Sequence, residues 1–188
     1  MPAMQYVVSF ALLVALAAWM VGVYNNLNHL RGVVCSCWSQ WCTVTHRRNA
    51  ELKEFATLLA SCVPQESPLP GSLLRLVTDS ERSLQLVSVP RWSSQHGFLG
   101  GAEHFLRMAA EQAMRAVEMQ ADSRVRQACH SVSVALYQQD QIAELFNRAA
   151  REYNAALCLP AARFLAPVFG FSAVDPLDDW KMQNARSS

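Results

Sequence analysis

Residues 6–23, YVVSFALLVALAAWMVGV, form one apolar run whose single polar member is Ser9. Beyond it the apolar pattern becomes periodic. Leu27, Leu30, Val34, Cys37, Trp41, Thr45, Arg48, Leu52, Phe55, Leu59 and Cys62 follow one another at steps of three or four residues, the seam of a packed helix. Arg48 is expected to lay its stem along that seam and extend its charged head outward. No helix breaker separates the apolar run from the seam, and Pro64, Pro68 and Pro70 end the pattern. The two patterns together predict one helix from about residue 5 to 63, a rod of roughly 85 Å.

Leu73, Leu74, Leu76, Val77 and Leu84 suit a short helix within 71–89, although Leu84 and Leu86, then Val87 and Val89, also fit a strand end. Helix is the reading adopted. Residues 90–101, PRWSSQHGFLGG, are expected to be a loop, marked by Pro90, Gly97 and the Gly100–Gly101 pair. A stripe of mostly small residues then predicts a third helix: Ala102, Phe105, Ala109, Ala113, Ala116 and Gln120. Asp122 and Ser123 offer an N-cap for a fourth, over about 124–158. Its stripe is Val125, Ala128, Val132, Ala135, Gln139, Ile142, Phe146, Ala149, Tyr153 and Ala156, and Pro160 ends it.

The fold class expected is all-α: an N-terminal transmembrane helix continuous with an antiparallel, four-helix, up-and-down bundle. Residues 1–23 are the stub and span, 24–171 the helical bundle, and 172–188 a polar C-terminal tail. With four helices the first leaves the membrane and the fourth returns to it. The apolar segment FLAPVFGF, 164–171, would then arrive near the membrane surface, and Pro167 and Gly170 there argue against ordinary helix continuation.

Eighteen apolar residues cover roughly 27 Å as a helix, close to a hydrocarbon core of about 30 Å. Tyr6 and Tyr24 bracket the run at interfacial positions. Met1–Gln5 carries no basic residue and no small-residue cleavage site follows the run, which favours an anchor over a cleaved signal peptide. Arg31, Arg47 and Arg48 all follow the span, so the body is expected on the cytoplasmic side of a single-pass protein, with a short N-terminus outside. Hydrophobic residues make up 52% of the chain and charged residues 16%, with a net charge of +1, which gives no electrostatic reason to expect a nucleic-acid partner. The six cysteines match no disulfide framework and are read as reduced thiols.

Little in the chain suggests chemistry. Cys42 and His46 lie four apart on one helix and could supply two metal ligands; a third and fourth would have to come from other helices, such as Cys129 and His130, and nothing in the sequence places those there. A metal- or thiol-responsive sensor is therefore the alternative function. Asp178 and Asp179 sit beside Trp180 in the tail as a solvated pair. No nucleophile, base and orienting group are linked by any motif. The chain is read as non-enzymatic, with no cofactor. Three aromatic–Asn pairs stand out: Tyr24–Asn25, Phe146–Asn147 and Tyr153–Asn154. Asn147 and Asn154 are seven residues apart on one helix face, where buried asparagine can fix register. In the four-helix arrangement Tyr153–Asn154 lies level with Tyr24–Asn25, which would let the two pairs meet.

The segment YNNLNHLRGVV, with Trp38, Ser39, Gln40, Arg47 and Arg48 after it, resembles the bacterial LemA family. So does the later QIAELFNRAAREYNAALCLPAARFLAPVFGF. The two segments cover roughly 24–59 and 139–171. Where the family carries Asp-Leu-Ile-Pro after the double Arg, this chain reads NAELK. The resemblance implies a single-pass inner-membrane protein of bacteria with a helical, coiled-coil-like body and no assigned activity. It marks Tyr24, Asn25, Trp38, Arg47, Arg48, Asn147, Tyr153, Asn154, Phe169, Gly170 and Phe171 as motif or interaction residues. The partners expected are the bilayer, through residues 6–23, and a protein: a membrane protease or another copy of the chain.

Overall fold

The computed structural model describes residues 2–64, 66–86, 97–117 and 122–177, with backbone alone at 2–5, 86 and 97–101. Helix accounts for almost all of this, and no strand occurs among the described residues. The first helix, α1 (Pro2–Cys62), joins the apolar run and the seam into 61 continuous residues, about 90 Å at the usual rise. It stops at Pro64, whose carbonyl accepts a turn bond from Ser67 N at 2.8 Å. A second helix, α2 (Leu69–Leu86), occupies the segment that periodicity left open between helix and strand.

The next helix, α3 (Gly97–Val117), corrects the sequence reading twice. The glycine-marked loop does not reach residue 101, because Gly97, Gly100 and Gly101 are already helical; residues 87–96 lie outside the described residues. Glycine weakens a helix by about 1 kcal/mol without ending it where packing downstream carries the helix on. The buried face is also turned by about one residue from the alanine stripe. Leu106, Ala110, Ala113 and Val117 are buried, whereas Phe105 is 64% exposed. Leu106 takes the core position in place of Phe105 and Val117 in place of Ala116, and the turn sets Glu103 toward the bundle interior.

The longest helix of the body, α4 (Ser123–Leu157), begins as expected, with the Asp122 carboxylate accepting from Arg124 N at 2.8 Å. Pro160 opens a further helix, α5 (Pro160–Phe169). Here Pro167 does not prevent helix. Its missing N–H orphans the Arg163 carbonyl, and both residues are exposed, so that carbonyl can turn to solvent. Gly170 then closes α5 with φ 67°, the left-handed conformation that L side chains avoid.

Helix α1 packs chiefly against α4, with α2 and α3 against each other and against α1. Thr45 and Arg48 meet Gln139, and Trp38 meets Phe146. The core has two apolar parts. A proximal one, beside the apolar run, gathers Leu27, Val34, Trp38, Trp41, Phe146 and Tyr153. A distal one gathers Leu52, Phe55, Leu59, Val77, Leu106 and Val132.

Between them lies a polar layer. Arg48 is only 1% exposed, so its head does not reach solvent as the seam pattern suggested. Three helices besides its own supply partners. Glu103 accepts from Nη1 and, at 3.1 Å, from Nη2. Gln139 Oε1 accepts at 2.7 Å, Asn49 Oδ1 at 2.6 Å and Ser80 Oγ at 3.2 Å. A buried guanidinium is tolerated only when its donors are satisfied and its charge is balanced, and both conditions hold here. Burial alone would raise the Glu103 pKa. The Arg48 charge and the bonds from Arg48, Ser80 and Gln139 outweigh it and leave the carboxyl below the usual carboxylate range.

Candidate functional site

None of residues 6–22 is buried against the body, and an 18-residue window of this run has a mean hydropathy of 2.3. By length and composition this part of α1 can cross a membrane. The features sequence reasoning had singled out gather just beyond it, around Tyr24, α5 and the end of α4.

Gly170 reverses the chain so that Phe171 N donates to Ala166 O at 2.9 Å. Residues 171–177 then run as a non-helical strap along α4. Phe171, Val174 and Leu177 point inward and are buried, while Ser172, Ala173 and Asp175 stay exposed. Two asparagines hold the strap. Asn154 reads the Val174 peptide with both ends of its amide: Oδ1 accepts from Val174 N at 2.9 Å and Nδ2 donates to Val174 O at 2.7 Å. Asn147 Oδ1 accepts from Leu177 N at 2.6 Å. The spacing fits, because seven helical residues rise about 10.5 Å and three extended residues span about 10 Å. The Tyr153 hydroxyl meets the Ser172 backbone. Burial raises that phenol's pKa, against the lowering effects of the Arg31 charge and the Ser172 contact.

This arrangement revises two expectations. The asparagines do not fix register across the seam; they bind a peptide segment. The polar tail does not begin at 172, because the packed body runs on through Leu177. Asp178, Asp179 and Trp180 lie outside the described residues.

Aromatic contacts complete the site. Tyr24 stands 5.0 Å from Phe169 and 5.8 Å from Phe171, centroid to centroid, both at tilted angles. The Arg31 guanidinium lies 5.9 Å over the Phe171 ring. Trp38 stacks on Trp41 at 5.1 Å and meets Phe146 at 5.4 Å. Its buried Nε1–H finds no acceptor among the described residues. Trp19, Gly22, Val23, Leu159, Ala161 and Ala162 line an adjoining apolar groove of about 280 Å³.

Of the residues marked by sequence, Tyr24, Trp38, Asn147, Tyr153, Asn154, Phe169, Gly170 and Phe171 are brought together or lie in contact with the same core. Asn25 and Arg47 are exposed and take no part, and Arg48 belongs to the polar layer. Sequence reasoning missed Val174 and Leu177, whose three-residue spacing after Phe171 was their one signal. It also missed Asn49, Ser80 and Glu103, which carried none.

Cys42 packs with the proximal core and Cys129 with the distal one, so these thiols do not converge. Burial pushes the Cys42 thiol up to about 11, partly offset by a backbone hydrogen bond. Among the described residues no three His, Cys, Asp or Glu side chains are placed to hold a metal ion. Among the described residues no disulfide joins any of the six cysteines. A second cavity, of about 590 Å³, is lined by Met114, Arg115, Val117 and Cys129 among others. Comparison with protein-family models, with curated proteins and with solved structures gave no match to this chain.

Proposed function

We propose that this chain is a membrane-tethered, non-enzymatic scaffold or interaction module. Residues 6–23 cross the bilayer once, and the body is an antiparallel, up-and-down four-helix bundle on the cytoplasmic side of a bacterial inner membrane. The single observation that carries the reading is the continuity of α1. One helix is wholly unburied and apolar over its first part and becomes the core seam of the body over its second. Anchor and body are thus one rigid piece, with no flexible linker between them. The order of pairing supports the bundle topology: Arg48 with Gln139, then Trp38 with Phe146, with α5 returning beside Trp19 and Tyr24. The polar layer and the strap are occupied by the protein's own groups, which leaves no catalytic constellation in either. Resemblance to the LemA family is kept as part of this proposal, together with a protein partner, either a membrane protease or a second copy.

Alkaline carbonate extraction tests the anchor. The full chain is expected in the membrane pellet, and a Leu13→Asp, Leu16→Asp variant in the supernatant. Full chain in the supernatant would overturn the reading. Orientation is tested at Cys158, which is exposed. A membrane-impermeant maleimide should leave it unlabelled in intact cells and label it after permeabilisation. Chemical cross-linking in native membranes should yield a discrete complex; a chain that stays monomeric under all conditions would remove the scaffold role.

A further inference from the structure

The two faces of α5 are the reverse of what a water-facing amphipathic helix requires. Its inward residues are small: Ala162 and Ala166 are buried against the body. Its large apolar residues point away. Phe164 is 82% exposed and Val168 76%, more than Val7 or Phe10 in the apolar run, which are 68% exposed. Phe164 and Val168 are four residues apart and so share one face. Leu159 and Phe169 flank them and are also exposed. The alanines let α5 lie close to α1, and what it lies against is the last part of the apolar run. Ala161 and Ala162 share a groove with Trp19, Gly22 and Val23, and Phe169 meets Tyr24. If residues 6–23 are in the bilayer, the outer face of α5 is at the depth where acyl chains give way to headgroups. Residues 160–171 contain Arg163 and no acidic residue, and Arg31 lies next to Phe171. Cationic flanks around an apolar face match an anionic lipid surface.

We propose that α5 is an interfacial helix. Its Phe164, Val168 and Phe169 face enters the surface of the membrane that α1 crosses, with Arg163 among anionic headgroups, and so fixes the tilt and rotation of the body over the bilayer. The proposal rests on the anchor reading above and extends it to a second membrane contact. A single crossing helix is free to rotate about its axis; a second, off-axis contact removes that freedom. The bundle would then present the same side to any membrane-bound partner.

Depth-dependent quenching of tryptophan tests it. The full chain is placed in vesicles of about three parts phosphatidylcholine to one part phosphatidylglycerol, with and without bromine on the upper acyl carbons. Trp19 reports the anchor: the parent protein should lose emission in brominated vesicles, and Trp19→Phe should abolish most of that loss. A Phe164→Trp variant should add emission that is quenched as strongly as that of Trp19. A Met108→Trp variant, at an exposed site on α3 away from the run, should add emission that is not quenched. Both substitutions are at exposed positions, so neither disturbs the core. Quenching at Trp19 but not at Phe164→Trp overturns the interfacial helix while leaving the anchor intact. Absence of quenching at Trp19 overturns both. Equal quenching at positions 164 and 108 would also sink the proposal, because it would mean that the body lies in lipid without regard to α5. Replacing phosphatidylglycerol with phosphatidylcholine should weaken quenching at position 164 and leave that at Trp19 unchanged.

Discussion

Glu103→Gln removes one charge from the polar layer and changes almost no volume, which makes it a clean probe of what joins the four helices. Four donors converge on the carboxylate: Arg48 twice, Ser80 at 2.7 Å and Gln139 at 3.0 Å. An amide can keep one oxygen in place, but its nitrogen must then face two donors. In one flip these are Arg48 Nη1 and Gln139 Nε2, in the other Arg48 Nη2 and the Ser80 hydroxyl. Arg48 is left with a buried charge and no counter-ion. Breaking a buried pair from one side costs about 3–5 kcal/mol, which for a body of this size lowers Tm by roughly 10 °C. Urea unfolding in mild detergent, followed by the emission of the buried Trp38 and Trp41, measures the loss. The pH dependence has a definite sign. The folded pKa of Glu103 is below its unfolded value, so its contribution is complete above about pH 4.3 and is lost as pH falls through the lowered folded value. The gap between parent and variant should be full at neutral pH and close in acid. A double variant, Arg48→Met with Glu103→Gln, should lose about 2 kcal/mol less than the sum of its single variants. Loss of under about 1 kcal/mol for Glu103→Gln at neutral pH, or strict additivity in the double variant, would refute the view that this layer is a coupled buried pair.

Three further outcomes are expected. Asn154→Ala should lower stability by about 1–3 kcal/mol and expose the strap, seen as faster proteolysis beyond Gly170, because the Val174 N–H and C=O lose their partner together. Gly170→Ala should cost about 1–2 kcal/mol by thermal unfolding, wholly from the backbone, since φ is 67° and an added Cβ meets no atom within 4 Å. Iodoacetamide followed by peptide mass spectrometry should find Cys42 alkylated at least about tenfold more slowly than exposed Cys158, because Cys42 is half-buried and its thiol, pushed up to about 11, holds about a hundredfold less thiolate than it would at its ordinary value of 9.0.

Periodicity and breakers alone determined much of the architecture. They gave the continuity of α1, its end before Pro64, the Asp122 cap and the α4 stripe from Val125 to Tyr153. Each of these signals is local: helix faces repeat within four residues, and caps and proline act within one turn. What the tertiary structure decided depends on groups far apart in sequence. Arg48 sits on an apolar stripe in either account. Whether its head turns outward or is buried depends on Ser80, Glu103 and Gln139, which lie 32, 55 and 91 residues away. The rotation of α3 was hidden because alanines sit on several of its faces, and only the neighbouring helices choose which face packs. Asn147 and Asn154 were noticed from the chain, but an asparagine amide can serve a helix seam, a peptide or solvent equally well. The strap that occupies them is an irregular segment, and its course depends on a groove that exists only once α1 and α4 have packed.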